Sequence, residues 1–201
     1  SEKVFVMKRL LLILILTLSF HSLSKADDIR DFEIEGMSVG DSLLDYFTKD
    51  VIENSKILNP NKNIKIARAE LKGDYKTYEE VQFWWFIDDK NYEIVGIAGE
   101  LNFEKKIDKC KKKQKEISSA IKNTFNNLSF SQKQTTNQHD KTKKSITYHH
   151  ALKLSDGNLI NIQCYKYSKY IKDEFPGTSD HLKVIVVTKI MDDHYFDARK
   201  N

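Results

Sequence analysis

Two periodicities organise the chain. In SVGDSLLDYFTKDVIEN, Leu43, Leu44, Phe47 and Val51 recur at helical spacing, and Ser38 with Asp41 three residues on has the form of a capping box. A second helix is predicted over residues 107–125. There Ile107, Cys110, Gln114, Ile117 and Ile121 share one stripe, while Lys109, Lys111, Lys112, Lys113 and Lys115 fall mostly on the other side. Between these helices, EVQFWWFIDDKNYEIVGIAGELNF changes to a period of two. Val81, Phe83, Trp85 and Ile87 alternate with Gln82, Trp84 and Phe86, a turn follows at 88–91, and Tyr92, Ile94, Val95, Ile97 and Leu101 continue a second strand. Large apolar groups on both faces predict central strands. Gly96 and Gly99 predict a bulge or close packing against a helix.

The remaining segments are read in the same way. Residues 27–37 form an acidic entry segment, and 64–71 fit either a short strand or an irregular connection. Residues 131–145 (SQKQTTNQHDKTKKS) hold no aliphatic side chain and are read as a mobile polar loop. Strands are predicted over 146–154, 159–167 and 181–191, with a short helical turn in the tail after residue 192. There is no internal repeat. Together these elements predict an α+β domain, an antiparallel sheet of about five strands with two helices packed on one face.

The hairpin TYHHALKLSDGNLINIQCYKY fixes its own register. Ile146, Tyr148, His150, Leu152 and Leu154 form the more apolar side of one strand, and Ile160, Ile162 and Cys164 that of the other. A three-residue Ser155-Asp156-Gly157 loop pairs Leu152 with Ile160 and Tyr148 with Cys164, burying one common face. The adjacent His149 and His150 then point to opposite faces and do not converge on one metal.

The start of the chain changes what these elements belong to. Met7-Lys8-Arg9 gives a basic head, LLLILILTLSF an apolar run of eleven residues broken only by Thr17 and Ser19, and Ser24-Lys25-Ala26 a small-x-small site. This order predicts a cleaved signal peptide within residues 1–26, with Ser1 to Val6 upstream of the start and a single domain over 27–201. The run is shorter than the ~20 residues of a membrane span, so no stable span is expected after the leader is removed. The residue directly after the predicted cleavage site is Asp27 and not cysteine, so a lipoprotein is not indicated. Periplasmic or secreted localisation follows.

The leader also carries most of the charge. Residues 1–26 hold four bases and one acid, which leaves 29 bases against 28 acids and reduces the net charge from +4 to +1. Nucleic acid, whose binding needs a concentrated positive field, is therefore not an expected partner. Arginine, the usual residue of bidentate phosphate clamps, occurs only at 9, 30, 68 and 199.

Candidate chemistry is sparse. Cys110 and Cys164 fit one disulfide in an exported protein, with two buried thiols or a catalytic or metal-binding cysteine as alternatives. His150, on the apolar face near Cys164, is the remaining site candidate. Trp84, Trp85 and Phe86 form a possible binding surface. Asp192, Asp193 and His194 with Asp197 contain cation-ligand types but read as a polar chain end. Ser179-Asp180-His181 holds three triad residue types, yet adjacent residues do not converge as a triad must. No P-loop, GxGxxG, HExxH, GxSxG or paired CxxC occurs. No catalytic residue, metal or cofactor is assigned.

GMSVGDSLLDYF after the leader, YEEVQFWWFIDDKNYEIVGIAGELNF, the Cys110 helix, IQCYKYS and DHLKVIVVTK together resemble a group of uncharacterised exported proteins of marine planktonic alphaproteobacteria. The resemblance covers most of the chain after the leader and implies export but no particular activity. GMSVGDSLLDYF is also similar to the first-helix motif of BamE-type outer-membrane assembly lipoproteins, from which this chain departs by lacking the lipid-bearing cysteine. The expected function is a non-catalytic soluble periplasmic or secreted protein that binds a protein or envelope component. The alternatives are a small exported hydrolase and a ligand-binding module with a cavity between helix and sheet.

Overall fold

The computed structural model describes residues 28–104 and 106–198. The predicted leader and its cleavage site lie outside them. The order of elements is α1 (Lys49–Ser55), β1 (Ile57–Leu58), β2 (Ile66–Glu70), β3 (Glu80–Phe86), β4 (Gly96–Asn102), α2 (Ile107–Thr124), β5 (Ser129–Thr136), β6 (Ile146–Lys153), β7 (Leu159–Lys166), α3 (Lys169–Glu174), β8 (His181–Val187) and α4 (Lys189–Ala198). All eight strands join one sheet in the order β1-β2-β3-β4-β8-β7-β6-β5, and every neighbouring pair is antiparallel.

This corrects the expectation of about five strands with two helices: eight strands and four helices are present among the described residues. The extra elements have weak sequence signals for physical reasons. β5 occupies the start of the stretch read as a polar loop. All eight of its residues are exposed, so little selects apolar side chains, and backbone pairing with β6 from Ser129↔Lys153 to Thr136↔Ile146 holds it, helped by Phe130 against His150 and Thr135 against His149. The turn that follows is tied by Asp140, whose carboxylate accepts the amides of Thr142 (2.8 Å), Lys144 (3.1 Å) and Ser145 (2.7 Å). β1 has only two residues. β2 buries Ala67 and Ala69, whose small side chains give little hydrophobic contrast.

The first predicted helix starts late. Asp41 does reach back to the Ser38 amide (2.8 Å), but the chain then makes only a 3-10 turn at Leu43–Asp45. Thr48 is the true cap of α1, accepting the Val51 amide, and Leu44 and Val51 of the expected stripe remain exposed.

One face of the sheet, here the inner face, carries the main core. Ala67 and Ala69, Val81, Phe83 and Trp85, Ile97, Leu182, Val184 and Val186, Ile160 and Ile162, and Leu152 pack there with Ile52 of α1 and Ile121 of α2. A smaller cluster lies on the outer face, where Met191 of α4 packs with Ile66, Val95 and Val187. A Cβ on Gly96 would sit 2.6 Å from the Met191 sulfur, so the helix approaches the bare backbone of β4. The helices thus divide between the two faces.

α2 is fixed to the inner face by specific bonds as well as by packing. Gln114 is buried and donates from Nε2 to the carbonyls of Tyr148 (2.8 Å) and Ile162 (2.6 Å) on β6 and β7. Cys110 and Cys164 form a disulfide with Cα atoms 6.0 Å apart. The β6–β7 hairpin has the expected register, Leu152↔Ile160 and Tyr148↔Cys164, with Gly157 at φ +92° in the turn.

Each half of the sheet is a four-stranded meander preceded by a helix, α1 before β1–β4 and α2 before β5–β8; the second half also carries α3 between β7 and β8 and α4 after β8, and the halves meet at the β4–β8 seam. The architecture repeats although the sequence does not.

Candidate functional site

Strand parity separates the three aromatic residues of β3. Trp85 turns inward, is 1% exposed and packs against Tyr92 with ring centroids 6.2 Å apart. It belongs to the core and not to a binding surface. Phe86 turns outward but meets the His194 ring edge-on at 5.5 Å, in the cluster under α4. Trp84 also turns outward and lines a groove of about 230 Å³ with Ile57, Leu58, Pro60, Arg68 and Tyr195.

Register builds this groove. Ile57 of β1 stands opposite Arg68 of β2, and Arg68 stands opposite Trp84 of β3, so the three lie in one cross-strand row. Ile57 and Leu58 are about half exposed, at 46% and 55%. Arg68 makes no ion pair or side-chain hydrogen bond among the described residues. A guanidinium without a carboxylate, set among apolar and aromatic side chains, is suited to take a carboxylate in a two-point contact.

The other end of the outer face is polar and internally bonded. Gln82 donates to Glu70 (2.8 Å) and Glu100 (3.1 Å), and Lys183 donates to Gln82 (2.6 Å) and pairs with Glu100 at 2.5 Å. His181 lies 3.7 Å from the second oxygen of Glu100 and stacks on Tyr165 with centroids 4.5 Å apart. Glu80 stands directly opposite Glu100 across β3 and β4. Burial, followed by the charges of Glu100 and Glu70, raises its pKa above the ordinary value of 4.5. Glu80, Glu100 and His181 border a hollow of about 260 Å³. Sequence reasoning missed this group. The alternation of His181 and Lys183 with apolar neighbours marks them as outward-facing, but the β4–β8 pairing that joins them to Glu100 spans some eighty residues and leaves no local trace.

Ser179, Asp180 and His181 do not form a triad. Ser179 donates to Asn102, Asp180 accepts the Tyr167 amide (3.0 Å) and pairs with Lys172 (2.7 Å), and His181 Nδ1 faces the Ser179 carbonyl at 3.0 Å. Each partner is structural and none lies within the trio's side chains.

The two adjacent histidines diverge. His149 bonds Thr135 through Nε2 (2.8 Å) on the outer side of β6. His150 lies under α2, with Nδ1 2.7 Å from the Ser118 hydroxyl and its ring edge-on to Phe130 at 5.3 Å. Ser118 already donates its one hydroxyl proton to the Gln114 carbonyl (2.7 Å), so it accepts from His150, which places the imidazole proton on Nδ1. Burial, then the charges of Lys122 and Lys115, lower the His150 pKa. The charged groups beside it are lysines, not acids.

In the tail, α4 continues through residues 192–198 and puts its polar groups to structural use. Asp193 pairs with Lys189, and His194 accepts the Lys65 amide at 2.9 Å. Among the described residues, no group of three His, Cys, Asp or Glu side chains is placed to hold a metal ion, and no helix is long and apolar enough to cross a membrane.

No family model, no curated protein and no solved structure matches this chain.

Proposed function

We propose that the protein is a non-catalytic binding protein, periplasmic or secreted, that holds a protein partner through the groove around Trp84 and Arg68. The Cys110–Cys164 disulfide fits an oxidising, exported compartment. The observation that carries the reading is Arg68, unpaired in a groove lined by Ile57, Leu58, Pro60, Ile66, Trp84 and Tyr195 together with Asn59. At about 230 Å³ the groove is smaller than the 300–1,000 Å³ of an ordinary small-molecule site. It takes one apolar side chain and an adjacent carboxylate, as the C-terminal residue of a peptide provides. Trp84 supplies a rigid aromatic anchor of the kind that dominates binding energy at such contacts.

The test is a fluorescence titration, because Trp84 is the more accessible of the two tryptophans. Short peptides ending in an apolar residue with a free carboxylate are compared with their C-terminal amides. The expected result is saturable quenching by the acids, weakened about tenfold or more in the amides and in Arg68→Gln. Equal response to acid and amide removes the reading.

One observation favours a second reading, a small exported hydrolase. Glu80 and Glu100 face each other in different environments, one disposed to keep its proton and the other bound to Lys183 as a carboxylate. Hydrolysis of a generic ester or glycoside substrate, abolished in both Glu80→Gln and Glu100→Gln, is the result that would establish it.

A further inference from the structure

A second hollow lies on the inner side of the sheet, away from the Trp84 groove. α2 covers β6, β7 and β8 but leaves the end of the face toward β5 open. Lys111 and Lys115, one turn apart, overhang Gln132, Gln134, Tyr148 and His150 there and enclose about 320 Å³. Lys133 and His149 also border it, but alternation turns their side chains to the opposite face of the sheet. Lys122, two turns further along the same flank of α2, lies 3.2 Å over the Phe130 ring, and Lys111 lies 4.5 Å over that of Tyr148.

Two features set these lysines apart from an ordinary solvated face. No acidic side chain lines the hollow, so the charges of Lys111 and Lys115 beside it are not neutralised there. Lys111 and Lys122 rest on the rings of Tyr148 and Phe130, which limits their freedom before any ligand arrives.

We infer that this hollow is a binding site for a small oxyanion carrying two or more negative charges, such as a phosphoryl or dicarboxylate group. Lys111 and Lys115 supply the charge from above, and the amides of Gln132 and Gln134, on the same face as His150, supply neutral donors. His150 completes the site as a sensor. Its Nδ1 proton is committed to Ser118, so Nε2 is the nitrogen free to gain a proton, and bringing an anion among the lysines favours that protonation. The charged groups around it are Lys115 and Lys122 with Lys111 on α2, and Lys133 and His149 on the β5–β6 side. The site is independent of the Trp84 groove and holds whether or not that groove binds a peptide.

The experiment follows the histidine ring protons of the whole chain by NMR during titration with pyrophosphate, with sodium chloride added to equal ionic strength as the control. A saturable shift at His150 is expected, with a raised pKa, while His139, His149 on the opposite face and His194 stay in place. The double variant K111Q/K115Q keeps its fold, because both positions are on the helix surface, and weakens binding about tenfold or more. Lys169→Gln, at an exposed paired lysine, leaves binding unchanged. Vesicles containing an anionic phospholipid separate the sources: binding that pyrophosphate displaces marks a lipid headgroup, and its absence marks a free anion. Shifts that chloride reproduces, shifts that include His139 equally, or equal affinity in K111Q/K115Q and Lys169→Gln would each overturn the site.

Discussion

Cys110 in the first turn of α2 and Cys164 on β7 are joined across the helix–sheet interface, 54 residues apart in the chain. The bond closes a loop that contains the rest of α2, all of β5 and β6 and most of β7. Its removal therefore frees a long stretch of unfolded chain. Replacing both cysteines by alanine is expected to lower stability by about 4 kcal/mol in the chain-entropy account, read as a reduced urea midpoint with a steeper slope, because the uncrosslinked unfolded chain exposes more surface. A midpoint that dithiothreitol does not move would show that the two thiols are not joined.

Trp84 and Trp85 are adjacent in sequence but opposed in role. Trp85→Ala empties a site in the main core and should cost ~3–5 kcal/mol. Trp84→Ala removes a partly exposed ring and should cost clearly less, while abolishing peptide-dependent quenching. Thermal unfolding of the two variants checks the pair, and a reversal of the order would mean that the faces of β3 are exchanged.

The glycines of β4 differ in what they touch. A Cβ on Gly99 would lie 2.4 Å from the base of the Tyr78 ring, whereas one on Gly96 meets the flexible Met191 side chain. Gly99→Ala is expected to cost about 1–3 kcal/mol, and Gly96→Ala less, because Met191 can turn aside. Chemical denaturation of both variants measures the difference.

The pH dependence has a definite sign. His149 and His150 have folded pKa values below 6.5, the first cause in each being burial. The unfolded chain then binds more protons than the folded one just below pH 6.5, and stability falls as pH drops through that window. His150→Gln keeps a side chain near Ser118 without titrating, so it should flatten the loss between pH 7 and pH 5. Asp140 behaves similarly at lower pH. Burial tends to raise its pKa, but hydrogen bonds from Ser145 and Thr142 hold it well below 3.8, so its contribution is present above 3.8 and is lost in stronger acid. Urea midpoints measured from pH 7 to pH 3 separate the two windows.

What the sequence disclosed follows from how local each signal is. The β6–β7 hairpin was legible because Asp156-Gly157 fixes a turn and one buried face fixes a register. α2 was legible because its stripe runs for five turns. β5 was not, since an edge strand exposed on both faces needs no apolar side chain. The Arg68–Trp84 row and the Glu80–Glu100–Lys183 group were also hidden, because each depends on pairings between strands that hydrophobic pattern alone does not match. Lys111 and Lys115 were visible as a basic cluster, but that β5 runs beneath them was not.

The β4–β8 seam has a consequence for how the protein is made. β8 is the last strand in sequence, yet it stands fourth from one edge of the sheet and fifth from the other, between β4 and β7. A chain emerging from its N-terminus has β4 waiting with one side unpaired until nearly every other element has appeared. Cys164 emerges before β8, so the crosslink to Cys110 can form while the middle of the sheet is still open. Strand order thus makes LKVIVV the piece that joins the two halves: without residues 181–187, β4 and β7 each lose a hydrogen-bonded neighbour.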